Sequence, residues 1–318
     1  MKWALIVGWL FLAGSSLLCD DYADLFRQAA SHSQNGQYEE AMAEYKAALA
    51  IRPGAPEAVN NVAVMCYQLH HYSDAFEYAT KIWASHPELK SAALVAGMAA
   101  VQCNRPKEAI APLQAAIARD ASSRDAVLTL GSAYYALNNF PDAIRTYKQE
   151  VDHSPSDFMA WYGLAICYER SAENSSAKLA RMPGGRAYSK LMLAQYLQGG
   201  GDGKLAAEAF GDASETGSAA ASTEAEQEYK SARTLAAKSQ EAFERVVSLA
   251  PKSWQTLIFL GDVARQRGDL VDAFGHYRNA LAKQPDNPAP LLGLGTVYWE
   301  MGNFDQATSF LHQTLEKN

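Results

Sequence analysis

RDAVLTLGSAYYALNNFPDAIRTYKQEVDHSPSD, residues 124–157, holds the pattern that decides the fold. Val127, Leu130, Gly131, Tyr134 and Leu137 recur at steps of three and four residues, the spacing that places side chains on one face of a helix. Asn138 and Asn139 punctuate a turn, and Pro141 opens the next helix, where its missing N–H costs nothing. The second helix carries Ala143 and Tyr147, and Pro155 stops it. Small residues at Gly131 and Ala143 allow the two helices to approach closely.

The same companions return at a fixed spacing. Ala41, Ala75, Ala109 and Ala143 follow one another at 34 residues, and Ala273 and Ala307 are again 34 apart. The wider set reappears as Trp161, Leu164, Ala165 and Tyr168, as Leu260-Gly261, Ala273, Tyr277, Ala280 and Pro285, and as Leu294-Gly295, Tyr298 and Ala307. A single helical hairpin cannot bury its apolar side, so each unit must stack on its neighbour. This predicts an all-α chain of stacked antiparallel helix pairs, an α-solenoid. The units run 22–55, 56–89, 90–123 and 124–157, then the first helix of a fifth from 158, then 254–287 and 288–318. Cys66 and Ala79 replace aromatics in the second unit, and Ala100, Leu113 and Ala121 replace two aromatics and a proline in the third. Pro112 falls inside a helix, where the lost hydrogen bond predicts a kink or local loosening.

The W-x2-L-G-x2-Y, A-x3-F and P landmarks in this register resemble the tetratricopeptide repeat, over most of the chain after residue 21. The resemblance, which is to the exported bacterial type, implies a right-handed superhelix with a non-repeat helical and flexible insertion. It implies a non-catalytic scaffold for protein–protein interaction, with the first helices of the units lining a concave groove. Such exported proteins serve envelope assembly, secretion or pilus machinery. On that arrangement the groove takes Asn60, Val64, Tyr67, Leu94, Met98, Gln102, Leu128, Tyr135, Tyr162 and Ile166, an apolar and aromatic face suited to an amphipathic helix or an extended apolar peptide of a protein partner. If the face is turned, several of these residues are core instead. The carboxylate clamp of some family members is met only by Asn60 and Asn61, because Leu94 and Leu128 stand without the lysines and arginines it needs. In the C-terminal pairs Asp262, Arg265, Gln266, Trp299 and Glu300 make a more polar surface. The last helix places Phe304, Ala307, Leu311 and Leu315 on one stripe and polar residues elsewhere, so it serves as its own cap.

Composition fits an ordinary soluble class, with 48% hydrophobic and 20% charged residues. The net charge of −7 and the lack of a lysine and arginine run argue against nucleic acid as a partner. No enzyme, cofactor or metal is expected. The glycine run before Lys204 offers Gln198 where a phosphate loop needs glycine and Leu205 where it needs a hydroxyl. The seven histidines are scattered without ligand spacing, and Glu39-Glu40 reads as a helix-start charge favoured by the helix dipole. The Asn174-Ser175-Ser176 sequon matters only in a eukaryotic secretory pathway.

Met1-Lys2 precedes 17 uncharged residues, Trp3 to Cys19, and Asp20-Asp21 follows. A basic start, a short apolar centre and the small residues Gly14, Ser15 and Ser16 predict a cleavable signal peptide over 1–19. An uncleaved anchor, the only route to a membrane, and lipidation at Cys19 are the alternatives. The repeats are then periplasmic or secreted, or anchored by the N-terminus. Cys66, Cys103 and Cys167 read as buried small apolar residues, with a Cys66–Cys103 disulfide disfavoured by helix spacings of about 8–10 Å. The period breaks between the fifth first helix and Trp254. This divides the chain into an N-terminal array over 22–170, an insertion over 171–224 and a C-terminal array over 225–318. Within the break, 186–198 reads as one helix, 211–224 as a flexible Gly/Ala/Ser-rich loop, and about Ala225 to Leu249 as a helix that rejoins the pattern. A hinge, a projecting binding loop and a tolerated insertion all remain open for it.

Overall fold

The computed structural model describes residues 21–199 and 223–317, with side chains left out over 193–199. The expected signal segment, the run Gly200 to Lys204 and nearly all of the expected 211–224 loop lie outside the described residues. Every described element is a helix or the turn between two helices. The chain divides into two compact units, Met1–Thr146 and Tyr147–Asn318.

In the first unit, α1 (21–34) pairs with α2 (Tyr38–Ile51), α3 (Pro56–Gln68) with α4 (Tyr72–Ser85), and α5 (Lys90–Gln102) with α6 (Pro106–Arg119), and α7 (Arg124–Ala136) follows. The chain passes into the second unit within α8 (Phe140–His153). There α9 (Phe158–Leu179) and α10 (Gly185–Gly199) precede α11 (Thr223–Leu249). Two further pairs follow, α12 (Trp254–Gln266) with α13 (Leu270–Lys283), and α14 (Pro288–Glu300) with α15 (Phe304–Glu316). Pro112 is buried and α6 runs through it unbroken from Pro106 to Arg119.

The 34-residue period has a physical basis in two places. The repeated alanines Ala41, Ala75, Ala109, Ala143, Ala273 and Ala307 are all 0% exposed, each filling a contact too close for a larger side chain. The turn between first and second helix repeats as well. Gly36, His70, Asn104, Asn138, Gly268 and Gly302 occupy equivalent places and all have positive φ, between 56° and 79°. At each, the following N–H bonds back to a carbonyl five residues earlier, as His71 does to Cys66 at 2.8 Å and Asn303 to Tyr298 at 2.9 Å. This is the Schellman ending, which needs a left-handed residue and so favours glycine or asparagine, found at five of these six places, with His70 at the sixth.

The insertion sits inside one helix pair. The α9 helix is 22 residues long against 13 for α12 and α14, and α11 packs along it as its partner. Ser239 stands 34 residues before Ala273, is buried, and donates its hydroxyl to the Ala165 carbonyl at 3.0 Å. Phe243, Val246 and Pro251 likewise stand 34 residues before Tyr277, Ala280 and Pro285. The positions 170/171 and 224/225 fall inside α9 and inside α11. The helix expected at 186–198 is α10. It docks on the extended ends of α9 and α11, where Leu179, Ala225 and Tyr229 are buried beneath Met182, Tyr188, Leu191 and Met192. The Tyr188 and Tyr229 rings stack there with centroids 5.0 Å apart.

At several pairs a large side chain midway along a second helix lies against a glycine of a first helix, as Leu113 does against Gly97 and Tyr277 against Gly261 and Gly293. A Cβ at Gly261 would lie 2.7 Å from Tyr277 Cε1, and one at Gly293 2.6 Å from the same ring. Gly275, inside α13, faces no atom within 4 Å. Gly261→Val is therefore expected to destabilise the chain by about 1–3 kcal/mol through overpacking. Gly275→Ala is expected to stabilise it by about 0.5–1 kcal/mol through helix propensity alone. Urea unfolding midpoints of the two variants check this, and shifts of the same sign would contradict it.

Candidate protein-binding surface

In the first unit the first helices lie side by side, α3 against α5 and α5 against α7. Val64, Tyr67, Leu94, Met98, Leu128 and Tyr135 are half-buried on them, and Gln102 is exposed. Val64 and Tyr67 pack partly onto the core around Val62, Met65 and Cys66. Tyr67 meets Tyr72 edge-on at 5.4 Å, and Tyr135 meets Phe140 at 5.7 Å. Each ring is thus braced by the first or nearly first residue of the following helix. Leu94, Met98, Leu128 and Tyr135 form a row of half-open apolar side chains on this face.

Asn60 leaves the candidate set. It is 7% exposed; its amide donates to Ser91 Oγ at 2.8 Å and its carbonyl accepts the Ser91 hydroxyl at 3.0 Å. A buried amide paired in both directions fastens α3 to α5 and has little left to offer a ligand. Among the described residues Cys66 and Cys167 are buried, Cys103 is half-buried, and all three are free thiols. Burial pushes the Cys167 thiol up to about 12 and raises that of Cys66 as well.

In the second unit, Tyr162 belongs to an aromatic block. It meets Phe243 at 6.3 Å and Trp254 at 5.9 Å, both edge-on, while Phe243 stacks on Phe259 at 4.5 Å. Ile166, one turn on, is half-buried. Asp262 accepts the Tyr277 hydroxyl at 2.6 Å, and Arg265 Nη1 pairs with Glu300 Oε1 at 2.8 Å, tying α12 to α14. All three charged residues expected in the polar surface, Asp262, Arg265 and Glu300, are therefore engaged within the chain. Trp299 is 59% exposed, with one edge against Phe304 at 5.0 Å.

On the last helix Ala307 is buried and Leu311 half-buried, but Phe304 is 55% exposed and Leu315 72% exposed, so the stripe expected to let this helix serve as its own cap is partly open. The stripe itself was legible as apolar residues at helical spacing, but what covers a stripe is a tertiary fact. Among the described residues no group of three or more His, Cys, Asp or Glu could hold a metal ion.

Burial holds the Asp262 carboxyl above the ordinary carboxylate value, against the pull of the Tyr277 hydrogen bond and the Arg265 charge. In the window between the ordinary and the raised value, the folded chain keeps a proton that the unfolded chain releases. Its contribution to stability therefore rises as pH falls through that window. Relative to Asp262→Asn, the parent chain is expected to gain stability between about pH 7 and about pH 4. Urea midpoints of the two proteins across that range check the sign, and parallel profiles would refute it.

Comparison with known proteins bears on this geometry. A tetratricopeptide repeat model matches residues 26–87, 128–177 and 229–288, more than half of the chain, and a second such model matches 264–318. No curated protein matches the sequence. The fold is similar to the crystal structure of a tetratricopeptide repeat protein from Parabacteroides merdae, with a TM-score of 0.60 at 12% identity, covering 94% of each chain. MamA from Desulfovibrio magneticus is similar at a TM-score of 0.45 and 19% identity, over 62% of this chain and 95% of that one. YrrB, described as a tetratricopeptide repeat protein with an unusual peptide-binding site, is similar at 0.49 and 14%, over 73% of this chain and 88% of that one. The stacked helix pairs, the 34-residue register and the two family-model matches agree, and the chain belongs to the tetratricopeptide repeat family of scaffolds for protein–protein interaction.

Proposed function

We propose that this chain is an exported, non-catalytic scaffold that binds an apolar helix or extended segment of another protein on the first-helix face of its N-terminal unit, in envelope assembly, secretion or pilus machinery. The observation that carries the binding reading is the row Leu94, Met98, Leu128 and Tyr135. Apolar side chains already half-buried on helices that pack side by side bury further area on binding and lose less side-chain freedom than fully exposed ones. The engaged state of Asn60 supports an apolar ligand over a carboxylate-clamped one.

Export rests on residues 1–19: the basic start, the uncharged centre and the small residues before Asp20. A second reading keeps that segment as an anchor, giving a membrane-bound interaction subunit, because 17 uncharged residues approach the length of about 20 that spans a bilayer. Among the described residues no helix is long and apolar enough to cross a membrane. Sequencing the mature N-terminus distinguishes the two. A start near residues 17–20 supports the exported form, and an intact Met1 supports the anchor.

In-cell photo-crosslinking tests the binding face. A photoreactive residue replacing Tyr135 is expected to capture one discrete protein, while the same residue at the exposed Gln149 captures none. Equal background from both positions would remove the first-helix face as the binding surface.

A further inference from the structure

The open surface at the end of the last helix pair is built like a seat that is filled elsewhere in the same unit. On α13, Leu270, Phe274, Tyr277 and Leu281 form the side that the next first helix covers. Tyr277 is 1% exposed there, and the other three pack with Leu294 and Val297 of α14. Gly293 of α14 makes that approach feasible, since its missing Cβ leaves room for the Tyr277 ring. Exactly one period later, α15 carries Phe304, Thr308, Leu311 and Leu315. Among these Leu311 is half-buried, Thr308 is exposed, Phe304 is 55% exposed and Leu315 is 72% exposed. Trp299, at 59%, extends the apolar stripe beside Phe304.

We propose that this stripe docks an amphipathic helix of a protein partner, seated on α15 as α14 is seated on α13. The ligand helix carries glycine or alanine opposite Leu311, apolar residues one turn to either side, and basic residues near its ends. The basic ends follow from charge: Asp305 and Glu316 are exposed at the two ends of the stripe, while Lys317 is occupied by Asp286 and the Pro285 carbonyl. A second copy stacking end to end fits poorly. The positions of α1 that correspond to the covering face of a first helix are Asp24, Arg27 and Ser31, all exposed, with Arg27 paired to Asp24. Laying them on Leu311 and Leu315 would desolvate an ion pair against hydrocarbon, which costs more than the burial returns. This docking surface is separate from the first-helix face of the N-terminal unit, and either can fail without the other.

The probe is a fluorescein-labelled peptide copying residues 287–301, the α14 helix that fills the equivalent seat, with two lysines added at each end. Fluorescence anisotropy with the 318-residue chain is expected to show saturable binding with Kd below about 1 mM. Leu315→Glu, and independently Thr308→Glu, are expected to weaken it by about tenfold or more. Val271→Glu, at a side chain 78% exposed on α13, leaves it unchanged, and a peptide with Gly293→Leu does not bind. Absence of saturable binding, or binding indifferent to both α15 variants, overturns the proposal. So does sedimentation showing that the chain alone is a dimer which Leu315→Glu dissociates, since a second copy would then be the occupant.

Discussion

The fold depends on one contact: a large side chain midway along a second helix pressed against the bare backbone of a first helix. Tyr277 is held between Gly261 of its own pair and Gly293 of the next, Tyr147 lies against Gly163, and Leu113 against Gly97. Tyr277 touches two successive first helices, so it fixes its own pair internally and to the next one. Interior packing has no slack for a Cβ at these points, so the register is set sterically. Where the facing residue is large, the contact changes form and survives, as in the parallel stack of Phe243 on Phe259.

That contact also explains how the pair of α9 and α11 accepts a long insertion. The added chain enters at the far end of the hairpin, and on its return Ser239 and Phe243 restore the alanine and aromatic places. The serine hydroxyl, which would otherwise be buried without a partner, bonds the Ala165 carbonyl across the pair. The extended ends then build a small core of their own around Tyr229, with Tyr188 stacked on it.

Polar residues on the first helices serve mostly to join helices. Asn60 bonds α5, Arg265 reaches Glu300 on α14, and Asp262 takes the Tyr277 hydroxyl. Apolar side chains stay open beside them: Leu94, Met98, Leu128 and Tyr135 in one unit, and Trp299, Phe304 and Leu315 in the other, with Gln102 and Gln266 as exposed polar neighbours. Exposed apolar groups of this kind mark surfaces for protein partners, while a polar ligand would find its obvious contacts already used.

The sequence by itself determined the helix pairs, their 34-residue register and the family, because alanines, glycines and turn residues at fixed spacing report close approach and left-handed backbone directly. It also located the apolar stripes of the first helices. Only the tertiary structure decided that the insertion lies within one pair, since the period is lost to the eye when a serine replaces the marking alanine at 239. Only the tertiary structure separated Asn60 from its neighbours and exposed Phe304 and Leu315. Helical spacing says which residues share a face, but whether that face meets another helix or remains open depends on what is packed beside it.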